Sequence, residues 1–219
     1  MKTVRLLTTI VIPFLLFTII SVCVLTGNIQ CFDAYIYSKL QNIISNRITF
    51  FMAGITNMAS SLFICILCFL TLPFFFIKQQ KYSFYSAVIL INICISSFLN
   101  VMLKNIFERA RPEILQLVEV SGHSYPSGHS MAAMSFYGFL IYLIYKNVKS
   151  INHKLITTIL LLLGVLIALI GLSRIYLGVH YASDVFGGFS ISLVWLGVFT
   201  LLIDKYKEKA VKKIVNKKN

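Results

Sequence analysis

The chain has 219 residues, of which 58% are hydrophobic and only 12% are charged. A soluble domain usually carries about twice this charged fraction, so the composition excludes an ordinary soluble protein and predicts a polytopic membrane protein. The formal net charge of +13 would suit a nucleic-acid partner if the basic residues formed one patch. The basic residues do not form one patch, because they are spread along the whole chain.

Six apolar stretches are long enough to cross a bilayer, since a transmembrane helix needs roughly 20 mainly apolar residues. We place them near residues 6–26, 49–77, 82–103, 130–145, 155–173 and 183–203. The first lacks the small-residue cleavage site of a secretory signal peptide, which favours a retained helix. The sequence therefore predicts an all-α fold, a bundle of six transmembrane helices that forms a single domain over residues 1–219.

The basic residues are distributed unevenly between the two sides of this bundle. If the N-terminus is cytoplasmic, fourteen of the 20 lysines and arginines fall in inner segments and six in outer ones. This asymmetry follows the positive-inside rule and predicts that both termini are cytoplasmic. The lysine-rich tail from Lys205 to Lys218 either is a solvent-exposed basic segment that sets the membrane orientation or contacts anionic lipid.

The segment 29–47, between the first two predicted spans, has an amphipathic pattern. Its apolar residues recur at steps of three and four: Ile29, Phe32, Ile36, Leu40 and Ile43. This spacing predicts a helix that lies in the outer interface. Such a helix would either help to admit a lipid or cap the bundle.

Three polar clusters fall on the predicted outer side, and the first is KNIFERARP at the end of the third span. Lys104 and Arg111 are seven residues apart, so a continuous helix would place both cations on one face. Pro112 disfavours helix at Arg111 and ends the element. Glu108 and Arg109 lie outside this spacing, and we expect them to be rim residues or a local ion pair.

The second cluster is SYPSGHS, just before the fourth predicted span. Pro126 and Gly128 favour a turn. The hydroxyl of Ser127 and the backbone N–H groups after it are donors at a helix N-terminus. Helix N-termini bind anions readily. His129 lies where it could donate a proton to a bound group.

The third cluster is SRIYLGVHYASD, between the fifth and sixth spans. Arg174 supplies a planar, permanently charged fork of donors that suits phosphate. If a helix has restarted by His180, Asp184 lies one turn further on and can accept a hydrogen bond from its imidazole. That contact would fix the tautomer of His180 and stabilise the cation formed during a reaction.

Together the clusters predict a phosphoryl-transfer site that uses no metal and no cofactor, in which the protein positions groups and stabilises charge. The residues expected to bind phosphate are Lys104, Arg111, Ser127, Gly128 and Arg174. His180, supported by Asp184, is the better nucleophile, and His129 is the better acid.

The motifs K-x6-RP, PSGH and SR-x5-H-x3-D span residues 104–184. In this order and spacing the chain resembles the type 2 phosphatidic acid phosphatase superfamily, which contains membrane lipid phosphatases, soluble vanadium haloperoxidases and bacterial acid phosphatases. The resemblance implies a phosphohistidine intermediate on His180, protonation by His129 and no metal requirement.

The expected function is hydrolysis of the terminal phosphate of a membrane lipid at the outer face of the cell membrane. Bacterial relatives suggest phosphatidylglycerol phosphate, undecaprenyl diphosphate or phosphatidic acid, and the motifs do not distinguish among the three. The expected partners are this substrate and the bilayer, with no nucleic acid and no particular oligomeric state. The alternatives are an anion or lipid-phosphate transporter without hydrolysis, and a haloperoxidase, against which six spans argue.

Overall fold

Helices make up all the regular structure in the computed structural model, which describes residues 2–70, 80–147 and 152–215. They are α1 (Lys2–Leu6), α2 (Ile12–Leu25), α3 (Gln30–Gln41), α4 (Asn46–Asn57), α5 (Ser61–Phe69), α6 (Gln80–Phe107), α7 (Gly128–Asn147), α8 (His153–Tyr176) and α9 (Ala182–Val215). A π-helical turn, Leu7–Val11, joins α1 to α2. The predicted all-α class is confirmed. The end of the predicted second span, residues 71–77, lies outside the described residues.

Four helical stretches are long and apolar enough to cross a membrane: Thr3–Leu25, Phe84–Phe107, His153–Tyr176 and Ala182–Glu208. The helices α4 and α5, which meet at a bend of 45°, add a fifth if the pair forms one broken span. Helix α7, which corresponds to the predicted fourth span, is not among these candidates. By length and composition, the part of the chain that the structure describes therefore offers four or five crossings, whereas the sequence analysis predicts six.

Helix α7 is less apolar than the four candidate stretches, and it lies among other helices. It packs against α6, α8 and α9, and several of its polar groups find partners in α6 and at the end of α4. The Ser135 hydroxyl lies 2.7 Å from the hydroxyl of Ser96, and its carbonyl accepts a hydrogen bond of 2.7 Å from Asn92. The Tyr137 hydroxyl donates to the carbonyl of Met58. Since neighbouring helices satisfy these groups, α7 does not need a surface that is apolar on every side.

The predicted amphipathic segment 29–47 is two helices with a break between them. Helix α3 ends at Gln41, and α4 begins after Ser45, whose hydroxyl accepts a hydrogen bond from the N–H of Ile48 at its N-terminus. Helix α3 packs against α8 and α9. Its residues Ile36 and Leu40 contact a buried cluster formed by Ile175, Ala182 and Val185. Helix α3 therefore lies across the end of the bundle that carries the third motif.

Candidate active site

The first motif does not form one continuous helical face. Helix α6 ends at Phe107, and Glu108 adopts the left-handed conformation with φ of 43°. The condition of a continuous helix from Lys104 to Arg111 is therefore not met, and the two cations do not share a helix face. Glu108, with its positive φ, ends the last turn of the helix, and Pro112 disfavours a return to helical backbone at Arg111.

Lys104 and Arg111 nevertheless converge, because both bind the segment 121–123. The Nζ atom of Lys104 donates to the carbonyl of His123 at 2.6 Å. The guanidinium of Arg111 donates from Nε to the carbonyl of Gly122 at 2.9 Å and from Nη2 to the carbonyl of Ser121 at 2.8 Å. Main-chain carbonyls thus orient both cations without neutralising their charge.

The second motif forms a buried turn that leads directly into α7. Ser124, Tyr125, Pro126 and Ser127 are all buried. The N–H of Ser127 donates to the carbonyl of Asp184 at 3.1 Å, which joins the second motif to the third. The Ser127 hydroxyl accepts hydrogen bonds from the N–H and the hydroxyl of Ser130, at 3.4 and 3.0 Å. Ser127 therefore caps α7, and its own hydroxyl proton is the group that it can offer to a ligand.

Gly128 and His129 form the start of α7. A Cβ atom on Gly128 would lie 3.1 Å from Oδ1 of Asn100, so the glycine permits the close approach of α6. His129 is half-buried and lies within electrostatic range of Arg174, His180, Lys104 and Arg111.

The third motif spans the end of α8, a short turn and the start of α9. Gly178 has φ of 72°, and a Cβ atom there would lie 2.3 Å from the carbonyl oxygen of Leu115, so only glycine fits. Helix α9 begins at Ala182, near the predicted start of the sixth span, so no helix has restarted by His180. Asp184 still reaches the imidazole, because the turn directs His180 towards the first turn of α9.

His180 is buried, and its two ring nitrogens face different groups. Nε2 lies 3.4 Å from Nη1 of Arg111, which can only donate, so Nε2 carries the lone pair. Nδ1 lies 3.4 Å from Oδ2 of Asp184 and 3.3 Å from the hydroxyl of Ser124. Burial lowers the pKa of His180 to about 4, although Asp184 acts in the opposite direction. The imidazole is therefore neutral near pH 7, with a lone pair on Nε2.

Arg174 is the most buried cation of the motifs. Its Nη1 donates to the hydroxyl of Thr56 at 2.8 Å, which ties the end of α8 to α4. Its Nε atom is buried and has no hydrogen-bond partner among the described residues. A buried donor without a partner is costly, so the N–H at Nε of Arg174 is available to an acceptor.

Two cavities reach the histidines. One of about 560 Å³ lies between α3, the segment 109–114 and the start of α9, and His180 lines it. The other, of about 240 Å³, lies between α5, α6 and α7, and His129 and Gly128 line it. Within the described parts of the chain, no group of three or more His, Cys, Asp and Glu side chains is placed to hold a metal ion.

The prediction that Arg109 is a rim residue or pairs with Glu108 is wrong. Its side chain is only 13% exposed, and its guanidinium donates to Asp184 at 2.7 Å and to Asp33 at 2.8 Å. Asp33 is not among the residues predicted for the site, although the sequence contains a signal for it. Asp33 lies four residues after Ile29 and three before Ile36, so it shares the apolar face of the predicted helix, where a carboxylate needs a partner.

Sequence and structure comparisons agree on one family. The PAP2 superfamily model matches residues 84–208. Phosphatidylglycerophosphatase B of Bacillus subtilis (strain 168) is 33% identical over 182 residues, which are 83% of this chain and 88% of that protein.

Two crystal structures have the same fold. A transmembrane PAP2-type phosphatidylglycerolphosphate phosphatase from Bacillus subtilis has a TM-score of 0.80 and 31% identity, over 89% of this chain and 96% of that one. Aquifex aeolicus LpxE has a TM-score of 0.58 and 24% identity, over 77% of this chain and 93% of that one. At this level of identity the likeness shows the fold alone. The family model matches over half of the chain, and one relative is 33% identical. The chain therefore belongs to the PAP2 superfamily, as its motifs predict, and is a membrane phosphatase.

Proposed function

We propose that the protein removes the terminal phosphate from a membrane lipid phosphate through a covalent phosphohistidine on His180. The observation that carries this proposal is the geometry of the ring, with Nε2 facing Arg111 and Nδ1 beside Asp184. Phosphatidylglycerol phosphate is the favoured substrate of the three candidate lipids, because the Bacillus subtilis relatives are named for that activity.

The reaction takes place in two displacement steps. In the first, the lone pair of His180 Nε2 attacks phosphorus, a P–N bond forms, and the bond from phosphorus to the leaving oxygen breaks while His129 donates a proton to that oxygen. In the second, water attacks the phosphohistidine, His129 takes a proton from the water, and the electrons of the P–N bond return to Nε2. The products are a lipid alcohol, or a lipid monophosphate from a diphosphate, and inorganic phosphate.

The basic residues stabilise the charge on the transferring phosphoryl group. Lys104, Arg111 and Arg174 bind its oxygens, together with the hydroxyl of Ser127 and the N–H of Gly128. The buried Nε of Arg174, which has no partner among the described residues, supports this role. These donors stabilise developing negative charge without a metal ion.

His129 acquires its catalytic proton in the complex with substrate. In the free site, burial of the ring and the charges of Arg174, Lys104 and Arg111 oppose a positive charge on His129. A phosphate dianion brings two negative charges to the same place and so favours the imidazolium form. Substrate binding thereby prepares the acid that the first step requires.

We also propose that the single domain crosses the membrane six times, with α4 and α5 as one broken span and α7 as a crossing within the bundle. The excess of basic residues in the inner segments supports cytoplasmic termini. This orientation puts the three motifs, and therefore the active site, on the extracytoplasmic side.

Accessibility of single cysteines tests this orientation. In a background without the five native cysteines, Glu119→Cys is expected to react with an impermeant thiol reagent on intact cells, because this exposed residue lies between α6 and α7. Lys154→Cys, at the exposed start of α8, is expected to react only after the membrane is permeabilised. Reaction of Lys154→Cys but not of Glu119→Cys on intact cells would reverse the assigned sides.

Phosphate release by the purified protein tests the reaction itself. In detergent micelles containing EDTA, we expect hydrolysis of phosphatidylglycerol phosphate with a kcat/KM roughly 10-fold or more above that for phosphatidic acid and undecaprenyl diphosphate. EDTA should not slow the reaction, because three protein cations supply the positive charge. Activity that disappears in EDTA and returns with Mg²⁺ would contradict the mechanism, and anion flux without hydrolysis would favour a transporter.

A further inference from the structure

A charged network joins helix α3, which lies outside the three motifs, to Asp184. Arg109 is central to it, because Nη1 donates to Oδ1 of Asp184 at 2.7 Å and Nη2 donates to Oδ2 of Asp33 at 2.8 Å. The guanidinium carbon also lies 4.0 Å from the centre of the Tyr181 ring. One arginine therefore links two carboxylates that are 151 residues apart in the sequence, and it is fixed by an aromatic face as well.

Asp33 makes a second connection to the same place through Ser183. Its Oδ1 accepts a hydrogen bond of 2.8 Å from the N–H of Ser183, and its Oδ2 accepts one of 2.7 Å from the Ser183 hydroxyl. Ser183 lies in the first turn of α9, where backbone N–H groups have no partner within the helix. The carboxylate thus caps α9 from another helix, one residue before Asp184.

These contacts control where the carboxylate of Asp184 lies. Asp33 is 3% exposed and Asp184 is fully buried, so their charges are not screened by water. Without the charge of Asp33, Arg109 keeps one carboxylate partner and draws Asp184 towards itself, while the hydroxyl of Ser183 loses Oδ2 of Asp33 as its acceptor. Both changes weaken the contact between Asp184 and Nδ1 of His180.

We propose that Asp33 is a positioning residue for the reaction, which fixes Arg109 and the first turn of α9 and through them aligns Asp184 with His180. The inference rests on the proposed phosphohistidine mechanism. It gives α3 a defined role in turnover, in addition to covering the end of the bundle.

Three variants of α3 test the inference in the phosphate-release assay with phosphatidylglycerol phosphate micelles. Asp33→Asn is expected to lower kcat by about 10- to 100-fold and to change KM by less than about 3-fold, because a misaligned group slows the chemical step more than it weakens binding. Asp33→Glu keeps the charge and should recover part of the loss. Lys39→Gln removes one charge from the exposed side of the same helix and should leave both constants unchanged.

A double-mutant cycle with Asp184→Asn separates positioning from a general structural effect. If Asp33 acts through Asp184, Asp33→Asn slows the native enzyme but adds less than about 3-fold to the Asp184→Asn variant. Equal factors in both backgrounds, a native kcat for Asp33→Asn, or a loss confined to KM would each overturn the inference.

Two controls keep the result interpretable. Ser183→Ala removes one hydroxyl from the network and leaves every charge in place. It tests the same coupling if Asp33→Asn does not fold in detergent. A kcat unaffected by Ser183→Ala would then count against the inference. His180→Gln distinguishes the two proposals. If His180→Gln is active, the phosphohistidine mechanism fails, whereas an inactive His180→Gln beside a fully active Asp33→Asn removes only the role of Asp33.

Discussion

Replacing His180 with glutamine is expected to lower kcat for phosphate release by on the order of 10⁵-fold or more, the scale of loss when an enzyme nucleophile is removed. Glutamine keeps a polar side chain of similar size, but its amide nitrogen has no lone pair able to attack phosphorus. The measurement is the initial rate of phosphate release from phosphatidylglycerol phosphate, with the melting temperature in detergent as a check on folding.

The chain offers a matched control for this substitution. His153 is exposed at the start of α8, and His153→Gln is expected to retain native kcat and KM. Acid-quenched reactions with labelled substrate should show phosphorylated protein in the native enzyme and none in His180→Gln. Phosphorylation that persists without His180 would require another nucleophile.

Asp184→Asn is expected to have the second largest effect, a fall in kcat of about 10³- to 10⁴-fold with little change in KM, as when a carboxylate that orients a catalytic histidine is neutralised. The two oxygens of Asp184 accept hydrogen bonds from Arg109 and from the N–H of Tyr181, and Ser124 donates to the same carboxylate. Asparagine has one oxygen and introduces two donors. It therefore cannot satisfy these groups and also receive the Nδ1 proton of His180.

Inhibition by orthovanadate separates turnover from binding in this variant. Because Asp184 faces the Nδ1 side of the ring and Arg111 faces the Nε2 side, the inhibition constant should stay within about 3-fold of the native value. Loss of vanadate inhibition in parallel with kcat would mean that Asp184 organises the phosphate-binding cations instead.

The sequence predicts the residues of the motifs better than the backbone that presents them. Fixed spacings identify His180, Arg174 and Arg111 because cations and imidazoles at a membrane boundary are costly without a function. The path of the chain after α6 was not predictable in the same way. A left-handed Glu108 ends the helix, and the main-chain carbonyls of residues 121–123, which carry no sequence signal, bring Lys104 and Arg111 together.

Long-range pairing accounts for the remaining differences. The role of Arg109 depends on Asp33, and only the tertiary fold brings the two together. Helix α7 has a weaker apolar signal than the other long helices because neighbouring helices satisfy its polar groups, so hydropathy alone does not determine whether it crosses the membrane. In both cases the local pattern shows which side chains need a partner, and only the tertiary fold shows which neighbour supplies it.

The segment 121–123 can vary in evolution more freely than its position suggests. It holds Lys104 and Arg111 through peptide oxygens, which every amino acid possesses, so exchanging Ser121 or His123 leaves those acceptors in place. Gly122 is the exception, because its φ of 75° disfavours any residue with a side chain. Related chains could therefore diversify this surface while preserving the orientation of both cations.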